Sequence, residues 1–220
     1  MIGGCVLRYA VKSSRKTKPR QEARAGKLIT FDEYFEIADE KTRTDLLDGK
    51  IIRDSPAVAK HGRINSWLAQ VIGFYVAKHD LGEIFFPTTS VRFTQYQATE
   101  PDLFFISKAR AHIVGEKFVE GAPDLCVEIV SKSSHKHDRG RKFTLYADHG
   151  VQEYWLIDPL SNTVDFFGAQ QGRFIALAPD GEGRLHSNVL PGFWLKPEWL
   201  RGELPAVLPV LKEILGEEAI

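Results

Sequence analysis

Glu128 lies in the middle of an apolar run, PDLCVEIVS over residues 123–131, that reads as a buried strand. A carboxylate there is costly unless a cation, a proton or hydrogen-bond donors compensate it. Its partners are therefore the first thing to find. Strand alternation puts Leu125, Val127 and Ile129 on one face and Asp124, Cys126, Glu128 and Val130 on the other. Asp124 shares the face of Glu128, but four residues of strand separate the two by roughly 13 Å, too far to clamp one small ion. Asp102, in EPDLFFIS (100–107), is the better partner. If that segment pairs antiparallel with PDLCVEIVS, one register sets Asp102 beside Glu128, within about 5 Å. Two carboxylates that close repel unless a cation or a proton sits between them. A hard divalent ion, Mg²⁺ or Mn²⁺, held by the two carboxylates and waters, suits such a pair.

A basic residue follows in HDRGRKFTLYADHG (137–150). Phe143, Tyr146 and Ala147 make a helical apolar stripe, and Lys142 stands one turn before Tyr146. Near the carboxylates, Lys142 could orient a water or stabilise charge developing on a phosphoryl group. Taken alone, Asp138 and Lys142 at i,i+4 spacing read as a surface ion pair. His135 and His137 flank Lys136 in a polar turn, with His149 the only other histidine nearby. That is too few for a zinc site, and they read as surface residues. Ser131, Ser133 and Ser134 read as caps of a helix beginning near His135, and Tyr154 and Trp155 as sheet core. No G-x-S-x-G elbow, Walker loop or G-x-G-x-x-G element is present.

The elements that must position these groups are legible in outline. Thr30 and Glu33 form a capping box for a helix with Phe31, Tyr34, Phe35 and Ala38 on one side. Asp48-Gly49, between Leu46-Leu47 and Ile51-Ile52, signals a hairpin, with Asp45 at its start. Residues 57–79 carry the longest helical pattern, from Ile64 to Val76, with His61 in the first turn and Gly82 past the end. Strands are expected over 83–95, with a bend or an edge at Pro87, and over 100–107. A long exposed connection follows over 108–121. After Asp158-Pro159 come further antiparallel strands, then a C-terminal tail with a short helix after Pro209. This order reads as α+β with an α/β-type core, a mixed central sheet flanked by helices.

Composition bounds the rest. A chain of 220 residues with 43% hydrophobic content supports one substantial core. Its organisation reads as a basic N-terminal extension (1–27), a main domain (28–200) and the tail (201–220). Residues 1–27 carry eight Lys or Arg against Glu22 alone, about +7, which leaves the remainder about −7 in a chain of zero net charge. Any contact with nucleic acid must then use a local basic patch, with the extension as a possible aid. No apolar run is long enough to span a bilayer, and the opening MIGGCVLRYAVKSSRK has its charges after the apolar stretch, unlike a secretory signal. Two cysteines, Cys5 and Cys126, do not make a disulfide framework and fit a reducing, cytoplasmic setting.

Several motifs together carry a resemblance: Pro101-Asp102, Glu128-Ile129-Val130-Ser131, Asp138 to Lys142, Tyr146, then Gly150-Val151, Glu153-Tyr154-Trp155 and Asp158-Pro159. Upstream, Asp45-Leu46-Leu47-Asp48-Gly49 and His61 extend it. Over about residues 28–200 the chain resembles the Uma-two family of candidate endonucleases, in the PD-(D/E)-x-K restriction-endonuclease-like superfamily. The resemblance implies a restriction-endonuclease-like fold and Mg²⁺-dependent (or Mn²⁺-dependent) phosphodiester hydrolysis with DNA as substrate. It implies Asp102 and Glu128 as metal ligands, Lys142 in the lysine role, Asp45 as an outer acid, and His61 as a group contacting the phosphate or orienting Asp45. Such nucleases often act as homodimers. Two departures stand out. Val130 occupies the superfamily's usual lysine slot, so the lysine must come from the helix, and Asp45 replaces a glutamate, with roughly 1.5 Å less reach. Two other functions fit the same residues: a non-catalytic nucleic-acid-binding or assembly module, and a metal-dependent hydrolase of small phosphate esters.

Overall fold

The computed structural model describes residues 27–38, 42–53, 58–131, 134 and 137–217. The basic segment through residue 26, Cys5, Ser133 and His135 lie outside the described residues.

Helix α1 (Phe31–Ile37) begins at Thr30, whose side chain accepts from the Glu33 N–H while the Glu33 carboxylate accepts from the Thr30 N–H. The expected hairpin joins β1 (Thr44–Leu47) to β2 (Lys50–Arg53), with Leu47 opposite Lys50. Asp48 and Gly49 both have positive φ, 52° and 68°, the backbone that matches the twist of a two-residue hairpin. Helix α2 (Ala59–His79) ends at Asp80 in the left-handed conformation, two residues before Gly82. Its buried side, Ile64, Trp67, Leu68, Val71, Ile72, Tyr75 and Val76, is the stripe read from the sequence.

The segment expected as one bent strand is two strands in different sheets. β3 (Gly82–Phe85) and β4 (Val91–Thr94) are separated at Pro87, which cannot donate to a ladder. β5 (Gln97–Thr99) and β6 (Leu103–Ser107) follow. The connection after β6 is structured: a 3₁₀ turn over Lys108–Ile113 and β7 (Val119–Glu120), which pairs parallel with β4. β8 (Leu125–Ile129) then leads through a π-helical turn (His137–Lys142) into α3 (Phe143–His149), β9 (Glu153–Asp158), β10 (Thr163–Gln170) and β11 (Arg173–Ala176). A small ribbon of β12 (Leu185–His186) and β13 (Trp194–Leu195) precedes a 3₁₀ turn and α4 (Val207–Leu215). Pro209 lies within the first turn of α4 instead of preceding it.

Two mixed sheets therefore stand where one was expected. Their strand orders are β2-β1-β5-β4-β7 and β11-β10-β9-β8-β6-β3. The central strands of the six-stranded sheet, β6, β8 and β9, are buried on both faces. One face, with Leu125, Val127, Ile129, Trp155 and Phe166, packs against α2 and Val210 and Leu211 of α4. The other, with Cys126, Val130, Tyr154 and Leu156, packs against Leu145 and Tyr146 of α3 and Leu47 and Val91 of the five-stranded sheet. Glu128 belongs to this second face, so its carboxylate points to where the two sheets and α3 meet.

The hairpin turn is a test of this packing. A Cβ on Gly49 would lie 2.8 Å from the Leu28 Cβ, and its φ is one that side chains rarely adopt. Gly49→Ala is expected to destabilise the protein by about 1–3 kcal/mol in urea denaturation; an unchanged midpoint would contradict the turn geometry.

Candidate active site

β6 and β8 pair antiparallel with Leu103 opposite Val127, which continues one residue on to set Asp102 beside Glu128. The predicted register holds. It is locked by a side chain: Asp102 Oδ2 accepts the Ile129 N–H at 2.7 Å. Asp102 is 1% exposed and Glu128 is fully buried.

The remaining groups arrive from four other segments. Asp45, on β1, accepts the Glu100 N–H at Oδ1, 3.0 Å, and its Oδ2 lies 2.9 Å from Lys142 Nζ. Lys142 Nζ also donates to Glu128 Oε1 at 3.0 Å and lies 3.4 Å from Asp138 Oδ1. The Asp138–Lys142 pair is therefore no surface ion pair, because both side chains are fully buried. The π-helical turn widens the chain at this point and presents Lys142 inward just before α3 begins. One turn later, Tyr146 donates its hydroxyl to the same Glu128 Oε1, 2.7 Å. His61, from the first turn of α2, meets Asp102 Oδ1 at 3.1 Å and not Asp45, since the helix start lies over the Asp102 end of the sheet. Ser131 and Ser134 bond reciprocally, as caps do, and the Asp138 N–H donates to the Ser134 carbonyl at 2.9 Å. Tyr154 and Trp155 are core as expected. His149 bonds only its own helix, through the Leu145 carbonyl, at 2.9 Å.

One residue was missed by sequence reasoning. Arg43 places its guanidinium between Asp102 and Glu128, with Nη1 donating to Asp102 Oδ1 and Nη2 to Glu128 Oε2 at 2.6 Å. Its signal was its position two residues before Asp45, on the same face of an extended segment.

These contacts set the protonation of the cluster. Burial pushes Glu128 up to about 7, although Lys142 and Arg43 pull the other way. Burial would likewise raise Asp102, but Arg43 and His61 hold it below the usual carboxylate range. Burial would lower Lys142; Asp45, Glu128 and Asp138 outweigh it and keep the ammonium charged. Burial also acts to lower His61, and its hydrogen bond with Asp102 overcomes this and raises it. Tyr146, raised by burial and by Glu128, stays a protonated donor.

Four carboxylates, Asp45, Asp102, Glu128 and Asp138, face two permanent cations, Arg43 and Lys142. Even with His61 protonated at Asp102, the fully ionised cluster is short of positive charge. Both Asp138 oxygens are buried without a hydrogen-bond partner among the described residues. Asp102 Oδ2 and Glu128 Oε1 are committed to Ile129 and to Lys142 with Tyr146, so Asp102 Oδ1, which His61 also meets, and Glu128 Oε2 are the two oxygens that the Arg43 guanidinium bridges. An all-oxygen pair in an anionic cluster suits a hard divalent ion. No set of three His, Cys, Asp or Glu side chains is disposed to hold a metal together among the described residues. The fit is a two-carboxylate one, in the gap that Arg43 spans.

Comparison with known proteins agrees with this fold. The Uma2 family model, described as "Putative restriction endonuclease", matches residues 31–198. The chain belongs to the Uma2 family. This membership assigns it to a nuclease family with the restriction-endonuclease-like fold. The "Uncharacterized protein sll1609" of Synechocystis sp. is 24% identical over 144 residues, covering 64% of this chain and 81% of that protein. A solved structure, "a putative nuclease belonging to DUF820 from Anabaena variabilis ATCC 29413", superposes with a TM-score of 0.65 at 24% identity. The match covers 78% of this chain and 97% of that one, and shares the fold. No helix among the described residues is long and apolar enough to cross a membrane.

Glu128 gives a pH test. Its folded value of about 7 stands above the ordinary 4.5. As pH rises between these values the unfolded chain releases its proton first, and the folded state loses this group's stabilisation. Without divalent ions, the melting temperature of Glu128→Gln relative to wild type should therefore rise by several degrees from about pH 5 to about pH 8. A difference constant with pH would contradict the buried, raised carboxyl.

Proposed function

We propose that this protein is a divalent-metal-dependent endonuclease that hydrolyses phosphodiester bonds in DNA, with Asp102 and Glu128 as ligands of Mg²⁺ or Mn²⁺. The observation that supports it most is the convergence of Asp102 Oδ1 and Glu128 Oε2 inside a cluster short of positive charge, in a member of a nuclease family. Bound there, a hard divalent ion would polarise a phosphoryl oxygen and make a water a better nucleophile.

The chain's own groups divide the remaining work. Lys142 and Tyr146 fix Glu128 Oε1, so that Oε2 stays turned to the gap. Ile129 does the same for Asp102 through Oδ2. Lys142 is enclosed by three carboxylates with no exposed surface, which suits it as a positioning residue and not as a phosphate ligand. Asp45 keeps the ammonium in place from the other sheet. His61, held at Asp102 with a raised pKa, carries a proton at the mouth of the site and suits a phosphate oxygen.

A local basic rim supports DNA as the substrate against the overall charge. Exposed Lys60 neighbours His61 in sequence, and exposed Arg139 and Arg141 neighbour Lys142, with Arg139 paired to Asp158 and Arg141 near Asp48, so the segments that build the site also carry cations at the surface. A cytoplasmic location completes the reading, with the buried Cys126 thiol in no disulfide among the described residues; cutting both strands would need two such sites, as in a homodimer. The bridging Arg43 favours a second reading, a nucleic-acid-binding module without cleavage.

Nicking of supercoiled plasmid separates them. Wild type should nick with Mg²⁺ or Mn²⁺ and stop with chelator. Asp102→Asn and Glu128→Gln should each lose at least ~10²-fold in rate. Salt-sensitive binding with no nicking under any divalent ion would establish the second reading. Equal nicking in chelator would sink the first.

A further inference from the structure

We infer that Arg43 and the divalent ion are alternative occupants of one gap, so that Arg43 is a built-in counterion that metal loading must displace. This rests on the two-carboxylate reading above and adds a gating residue to it. The guanidinium spans the pair as a single planar fork, Nη1 on Asp102 Oδ1 and Nη2 on Glu128 Oε2. These are the two oxygens an ion would need, because the other oxygen of each carboxylate is already engaged, with His61 the one further contact, at Asp102 Oδ1. An ion coordinating at about 2.0–2.1 Å requires the same lone pairs and would repel the guanidinium. The two cations cannot share the space.

Of the cations in the cluster, Arg43 is the one placed to leave. Lys142 has no exposed side-chain surface and is enclosed by Asp45, Glu128 and Asp138. The Arg43 side chain is 17% exposed, and the residue stands just before β1, whose ladder with β2 begins at Thr44. Its backbone is therefore outside that ladder, and swinging the side chain outward breaks its side-chain contacts with the two acids. In the metal-loaded state the guanidinium would lie at the mouth of the site, where a phosphate oxygen offers it a two-pronged partner. Without metal, it places positive charge between two facing carboxylate oxygens that would otherwise repel.

Calorimetric titration of MnCl₂ into wild type, Arg43→Met, Arg43→Lys and Asp102→Asn tests this without reference to cleavage. Arg43→Met is expected to bind Mn²⁺ at least tenfold more tightly than wild type. Arg43→Lys keeps the charge but cannot span both carboxylates, and is expected to bind several-fold more tightly. Asp102→Asn should bind far more weakly than wild type. Equal affinity in wild type and both Arg43 variants would overturn the displacement while leaving the metal site intact. So would tighter binding in Arg43→Met with wild-type affinity in Arg43→Lys, which would reduce the effect to net charge. Binding by none of the proteins, or full binding by Asp102→Asn, would instead overturn the metal reading, and this inference with it. Should Arg43→Met fail to fold, the Arg43→Lys comparison decides alone.

Discussion

The structure around the site depends on one electrostatic constraint: four buried carboxylates must be held together by two cations. Removing a partner from such a cluster leaves an uncompensated buried charge and is strongly destabilising, whereas a fully apolar replacement would cost little. A protein selected only for stability would have little reason to keep Asp45, Asp102, Glu128 and Asp138 within reach of one lysine. Glu128 is raised by its burial, and the Asp138 oxygens have the Lys142 ion pair but no hydrogen bond among the described residues, which leaves the cluster rich in negative charge.

The scaffold serves this constraint by supplying rigid edges from different parts of the chain. The β6–β8 register fixes two acids side by side, and the hairpin brings a third from the other sheet. The π-helical turn and α3 deliver Lys142 and Tyr146 from the same side. Cores on both faces of the six-stranded sheet hold β8 against movement, so Glu128 cannot escape to water. Arg43 and His61, at the start of their elements, are the members with partial exposure.

How much of this could be read from residues alone follows from the range of each interaction. The capping box at Thr30, the Asp48-Gly49 turn and the α2 stripe are local, and the structure has them where the pattern put them. The Asp102–Glu128 pairing was legible because a strand has a period of two and few registers bury an acid against an acid. The division into two sheets was not: Pro87 signalled a break, but nothing local says that β4 joins the hairpin and not β6. The burial of Lys142 was hidden for a similar reason, because its i,i+4 spacing to Asp138 is the same on a surface helix as in a core. Arg43 contacts acids 59 and 85 residues away, and only tertiary packing defines that bridge.

The central claim is that Asp102 and Glu128 jointly bind a divalent cation. Anomalous diffraction from a crystal soaked in Mn²⁺ tests it most directly. The account predicts a manganese peak bonded to Asp102 Oδ1 and Glu128 Oε2. Manganese bound only elsewhere, with Arg43 still bridging the two carboxylates at saturating Mn²⁺, would contradict it.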